Sequence, residues 1–256
     1  MSNELDVKRP SFSEALTAEL TEAKDSLPVK FNIPRFVQNS IALLNGNETL
    51  VKFSKSYGTS QIKAGLIRAA YLGLDALNGE CYLVPYGSTI NFVTSYKGMI
   101  KMVKKYSQDG VKHVSVDLVR EGDEITATVI DGKRGLQIKQ NLLSNKPIMG
   151  CIAQVQYADG NIDYEYMSLA DLQVVRNQSK SKNALAWSAF TGEMYKKACI
   201  RRLLKRITLD LDKDFAMEMD SGIDIETDQR ELAKREIEAN ENSEDFIEVE
   251  SEVVSG

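Results

Sequence analysis

Histidine and cysteine are scarce in this 256-residue chain: it has His113 alone, and three widely separated cysteines, Cys81, Cys151 and Cys199. With no CxxC pair and a single histidine, a structural zinc site and a disulfide framework are both excluded. The 5 prolines and 16 glycines are too few for a collagenous or low-complexity chain. No apolar run approaches the roughly 18 to 20 residues that a membrane span requires. The first residues, MSNELDVKRPSFSEALTAEL, lack the apolar stretch of a signal peptide, so a reducing cytoplasm is the expected compartment. Nucleotide chemistry is missing too. The one Gly-Lys pair, Gly132-Lys133, has no glycine five residues before it, so there is no P-loop and no site for ATP. GxSxG and HExxH are absent, and a lone histidine argues against a Ser-His-Asp or Cys-His site. Asp163 and Glu165 alternate along a strand pattern, and Asp210, Asp212 and Asp214 form a second acidic group. Both read as solvated surface acid rather than nuclease carboxylates, and His113 reads as structural. The chain is expected to have no catalytic residue, metal or cofactor.

Charge is what the sequence has, unevenly placed. The formal net charge is -5, yet residues 221–256 hold 12 acidic residues against three basic ones. Residues 30–206 reverse the balance, with 25 basic and 14 acidic residues. A basic body with an acidic tail is the pattern of a protein that handles a polyanion.

The expected fold class is α+β: mostly antiparallel hairpins packed by helices, one of them long and basic, with further helices before them. Residues 1–27 read as a mobile N-terminal arm, 28–220 as the core, and 221–256 as an acidic, disordered tail poor in aromatics. Helical spacing runs through IPRFVQNSIALLN, with Pro34 suited to a first turn, and through TSQIKAGLIRAAYLGLDAL after Thr59 or Ser60. From about residue 80 the apolar period becomes two. CYLVPY and STINFVTS form one hairpin; VKHVSVDLVR, EITATVID, GLQIKQ, MGCIAQVQY and NIDYEYMS follow, the last two joined at Asp159-Gly160. Helices are expected at 95–107, after Ser168 with Asp171 in capping position, and within 184–208.

The segment SYKGMIKMVKKYS is amphipathic with an unusual polar face. Advancing about 100° per residue, Lys101, Lys104 and Lys105 fall within roughly 80° of Lys97, opposite Met99, Met102 and Val103. No acid interleaves to form i,i+4 pairs, so four lysines on one face favour phosphate binding over simple solubilisation. In AFTGEMYKKACIRRLLKRI, Lys197, Arg201, Arg202, Lys205 and Arg206 occupy one arc, and Ile200, Leu203, Leu204 and Ile207 the other. Extended backwards, the same helix puts Trp187 and Phe190 on the basic side, where rings can stack on the bases of single-stranded nucleic acid. Lys196 falls inside the apolar stripe one turn after Glu193, so these two are expected to form a structural pair at the edge of the core. Arg176, Lys180 and Lys182 lie in or beside the amide-rich loop RNQSKSKN and suit phosphate contact.

SYKGMI (Ser95–Ile100), preceded by Tyr82-x-x-Pro85, resembles the signature of the RecT family of phage single-strand annealing proteins. Trp187 to Arg202, WSAFTGEMYKKACIRR, is similar to the family's second signature, with Ala186 where many members carry proline. The resemblance spans roughly residues 35–215 and leaves out the tail. It implies a protein that coats single-stranded DNA and pairs it with a complementary strand in recombination, without ATP. It also implies a core built from a curved sheet and a long helix, self-association into rings or helical filaments, a phage 5′–3′ exonuclease as partner, and a host single-strand-binding protein as a further one. A passive single-strand binder without annealing activity is the alternative.

Overall fold

A computed structural model describes residues 10–130, 132–179 and 185–210; Lys180, Lys182, Asp212, Asp214 and the acidic tail lie outside the described residues. Four helices come first: α1 (Phe12–Glu22), α2 (Ile33–Gly46), α3 (Glu48–Tyr57) and α4 (Ser60–Leu72). Helix α1 starts at a capping box in which Ser11 and Glu14 satisfy each other's backbone N–H groups. Those hydrogen bonds from Ser11 hold the Glu14 carboxyl below its usual pKa. Within the segment expected to be a mobile arm, helix α1 is docked, and residues 1–9 lie outside the described residues. Leu16 and Leu20, four residues apart, are fully buried, and Lys63 of α4 meets Glu19 at 2.5 Å. Two leucines in an otherwise polar stretch give a weak pattern, but they suffice to seat one helical stripe. Asn32 and Asn47 cap α2 and α3, and α4 ends at Gly73 in the left-handed conformation that a residue without Cβ adopts readily.

The remainder alternates strands and helices. In order these are β1 (Cys81–Tyr86), β2 (Thr89–Thr94), α5 (Tyr96–Tyr106), β3 (Val111–Arg120), β4 (Glu124–Ile130) and β5 (Lys133–Lys139). Then come β6 (Ile148–Tyr157), β7 (Ile162–Ser168), α6 (Leu169–Gln178), α7 (Leu185–Ala189) and α8 (Thr191–Leu204). The class is α+β and every strand pair is antiparallel, as the period-two segments imply. The strands divide among three sheets: the β1–β2 hairpin, a sheet ordered β3-β6-β7, and the β4–β5 hairpin. Arg134 of β5 stacks over the Tyr164 ring of β7 at 4.1 Å and pairs with Asp163, which ties the second hairpin to the larger sheet.

Burial falls into two hydrophobic cores. One gathers α1 to α4 with β1 and β2; the other packs α8 and α6 against one face of β3-β6-β7. Helix α5 contributes to both: Met102 and Tyr106 to the first, Met99 and Val103 to the second. Its entry is fixed by a close approach. The Ser95 side chain caps α5 at Gly98 N–H and donates to the Gly79 carbonyl, and the Ser95 N–H donates to the Glu80 carbonyl at 3.1 Å. A Cβ built on Gly98 would lie 2.0 Å from that same Glu80 oxygen, so only glycine lets the helix sit this near.

The contact is with backbone, which cannot swing aside. Gly98→Ala should therefore cost at least about 1 to 3 kcal/mol, as overpacking does. Gly46→Ala, with nothing within 4 Å of its new Cβ, should leave thermal stability unchanged or slightly raised. Thermal unfolding of both variants followed by circular dichroism checks the contrast.

Candidate nucleic-acid interface

With two faces of α5 buried, its third is left to solvent, and Lys97, Lys101, Lys104 and Lys105 occupy it, all exposed. Lys101 reaches back to Glu80 at 2.6 Å, and Lys105 lies 4.9 Å from the centre of the Tyr106 ring. Burial, with Lys101 adding to it, pushes the Lys105 ammonium below its ordinary pKa. Lys97 and Lys104 make no ion pair among the described residues.

Helix α8 lies alongside α5. Arg201 Nη1 donates to the Thr94 carbonyl just before α5 begins, while the Asp210 N–H donates to the Tyr106 carbonyl where it ends. The chain from Arg201 to Asp210 thus follows the length of α5. Arg202, Lys205 and Arg206 are exposed there.

Opposite α5, α8 covers β6 and β7. Asp163 and Glu165 stand cross-strand from Val155 and Ala153, on the face that meets α8. Arg206 Nη1 donates to Glu165 Oε2 at 2.8 Å and its Nη2 lies 3.7 Å from Asp163; Arg202 Nε lies 3.4 Å from Glu165 Oε1. The Glu165 hydrogen bond, more than any other contact, raises the Arg206 pKa. The acids expected to be solvated are therefore arginine partners, with Glu165 only 9% exposed. Three guanidinium groups, from Arg134, Arg202 and Arg206, surround the two carboxylates, which is the wrong field for a nuclease's divalent cation.

The RecT family model matches residues 34–235, most of the chain. The chain belongs to the RecT family. The protein named RecT in Escherichia coli (strain K12) is 28% identical over 173 residues, covering 63% of each chain. The present chain thus spans a little under two thirds of that relative's length.

Both RecT signatures turn out to be junctions of the fold as well as carriers of charge. In Ser95–Ile100, Ser95 and Gly98 seat α5 against Glu80, and Lys97 is the exposed member. In the second signature, Trp187 is fully buried in the sheet-side core, its ring 6.3 Å from that of Tyr195. Its expected place on the basic face assumed one continuous helix. The chain breaks at Phe190 (φ -125, ψ 36), so α7 and α8 are separate and the helical phase is not carried across. Phe190 remains 60% exposed and available for stacking. Lys197 and Arg201, also expected to face DNA, are 6% and 1% exposed. Helix α8 is covered by the sheet on one side and α5 on the other, so its buried surface is wider than one apolar stripe. Arg176 sits half-buried in the last turn of α6, which its charge favours.

Sequence reasoning missed Glu80, Arg134 and the Thr94 carbonyl, all polar partners supplied from distant segments, for which no local pattern exists. It found the Glu193–Lys196 contact, at 3.1 Å, but the Glu193 side chain is 70% exposed, so the pair lies on the surface rather than at the edge of the core.

An exposed pair contributes no more than about 1 kcal/mol. Glu193→Ala should accordingly shift the unfolding free energy by less than that. Arg201→Ala should cost at least about 2 kcal/mol, the lower end for truncating a fully buried long side chain. Urea unfolding of the two variants measures the difference, and equal losses would contradict this division of α8.

Proposed function

We propose that this RecT-family chain binds the backbone of single-stranded DNA along the exposed lysine face of α5 and the basic end of α8, and anneals the bound strand to its complement. The observation that carries the reading is α5 itself: two of its faces are committed to cores, and the remaining one is lysine alone. A row of cations with no base-reading groups between them suits phosphate contact without sequence preference.

Held by its phosphates, one strand keeps its base edges open to a second strand, and complementarity is tested by base pairing rather than by the protein. Duplex stacking supplies about 1.4 kcal/mol per step. Annealing on this scheme needs neither ATP nor a catalytic residue. Coating of a long strand follows from self-association of the chain into rings or helical filaments. A 5′–3′ exonuclease that exposes single strands is the natural upstream partner, and a host single-strand-binding protein a neighbour on the same substrate. The acidic residues from about 221 onward serve in this scheme as a regulatory or recruiting arm.

The test is annealing of complementary oligonucleotides by the purified protein without nucleotide, alongside single-strand affinity at several salt concentrations. Acceleration of pairing without ATP is expected. Lys97→Ala and Lys104→Ala should each lower the salt slope of single-strand binding by about 0.7, the share of one phosphate contact. Strict ATP dependence, or strand protection without faster pairing, would contradict the annealing reading. Unchanged affinity and slope in both variants would place the DNA elsewhere.

A further inference from the structure

We propose that Glu165 is a positioning residue: it holds Arg202 and Arg206 in the arrangement that receives a nucleic-acid phosphate. This rests on the single-strand-binding reading above. Glu165 is the most buried acid among the described residues of this sheet, and both of its oxygens are engaged, Oε1 by Arg202 of α8 and Oε2 by Arg206 just past its end. The two arginines are one turn apart, so a single carboxylate beneath them reaches both.

The geometry of each contact matters. Arg202 is engaged through Nε, so within the described residues both terminal nitrogens of its fork remain for another acceptor. Its side chain is 54% exposed. Arg206, at 49%, spends Nη1 on Glu165 and turns Nη2 toward Asp163. A guanidinium presents its donors as a rigid planar fork, but the chain that carries it is flexible and must be ordered when it binds. The ion pair at Nε, 3.4 Å long, favours one direction of the fork before any ligand arrives. Glu165 can serve as an anchor because it is itself fixed: its backbone is paired with Ala153 of the central strand, and its side chain is enclosed under α8.

The opposite reading is that Glu165 and Asp163 merely neutralise α8 and weaken its pull on a polyanion. The two readings differ in sign. Removing the charge of Glu165 makes the protein's formal net charge of -5 less negative by one. Simple neutralisation predicts tighter single-strand binding by Glu165→Gln, whereas positioning predicts weaker binding.

The experiment is titration of a labelled single-stranded oligonucleotide of mixed sequence with full-length wild type, Glu165→Gln and Glu165→Asp, at low and high salt. Positioning predicts an affinity loss in Glu165→Gln of at least about twofold, the lower bound for coupled contacting residues. The salt slope should fall by about 0.7 for each arginine that no longer meets a phosphate. Glu165→Asp keeps the charge but shortens the anchor by one methylene; it should also bind more weakly, where neutralisation predicts wild-type binding. In an Arg202→Gln/Arg206→Gln background the Glu165→Gln change should have no further effect, which a general loss of fold would not reproduce. Should Glu165→Gln fail to fold, Glu165→Asp decides alone. Tighter or unchanged binding by the folded Glu165 variants overturns the inference. Absence of binding by the wild type overturns the single-strand reading itself, and this inference with it.

Discussion

Helix α5 belongs to two hydrophobic cores at once, and the remainder of the molecule is arranged around that constraint. Met102 and Tyr106 pack among the N-terminal helices, while Met99 and Val103 pack beneath α8. A helix of only three turns that meets both groups of elements has no freedom left in its axis or its rotation. The Gly98 approach to the Glu80 carbonyl removes what remains of its translation. Lysines on such a helix are held at fixed places relative to one another. On the proposed function, in which a flexible polyanion is laid along this face, that rigidity matters as much as the charge itself.

The same packing sorts the cations of α8 into two kinds. Lys197 and Arg201 are drawn inside, where Arg201 links α8 to the backbone at the start of α5. Arg202, Lys205 and Arg206 stay at the surface, two of them oriented by carboxylates of β7. Positions one residue apart on a single helix are thus divided between the core and the surface that the proposed function assigns to DNA. One donor of the buried arginine, Nη1, meets the Thr94 carbonyl at 3.3 Å.

How far the sequence reveals this depends on the range of the interaction. The period-two segments between residues 80 and 168 mark every strand, because side-chain alternation is a local property of the backbone. The wheel of α5 is legible for the same reason: the four lysines and the buried methionines lie within one uninterrupted helix of 11 residues. Trp187 is misplaced by that method because a single non-helical residue, Phe190, resets the phase. Lys197 and Arg201 are misread because an amphipathic pattern records polarity, whereas burial on α8 is decided by α5 and the sheet from both sides. Asp163 and Glu165 look like solvated acid until β7 and α8 are brought together, since their arginines come from 29 to 43 residues away in sequence. The family signatures are clear in sequence, but the reason for their glycine and serine appears only in the contact with Glu80.

The central claim is that the exposed face of α5 and the end of α8 form the DNA-contacting surface, while the neighbouring buried cations hold the fold. Site-resolved lysine acetylation, read by mass spectrometry with and without a single-stranded oligonucleotide, tests it most directly. Lys97, Lys101, Lys104 and Lys205 should become protected when DNA is bound. Lys52, on the far helix α3 with 72% of its side chain exposed, should react equally in both states. Undiminished labelling of the α5 lysines on fully bound protein would contradict the account.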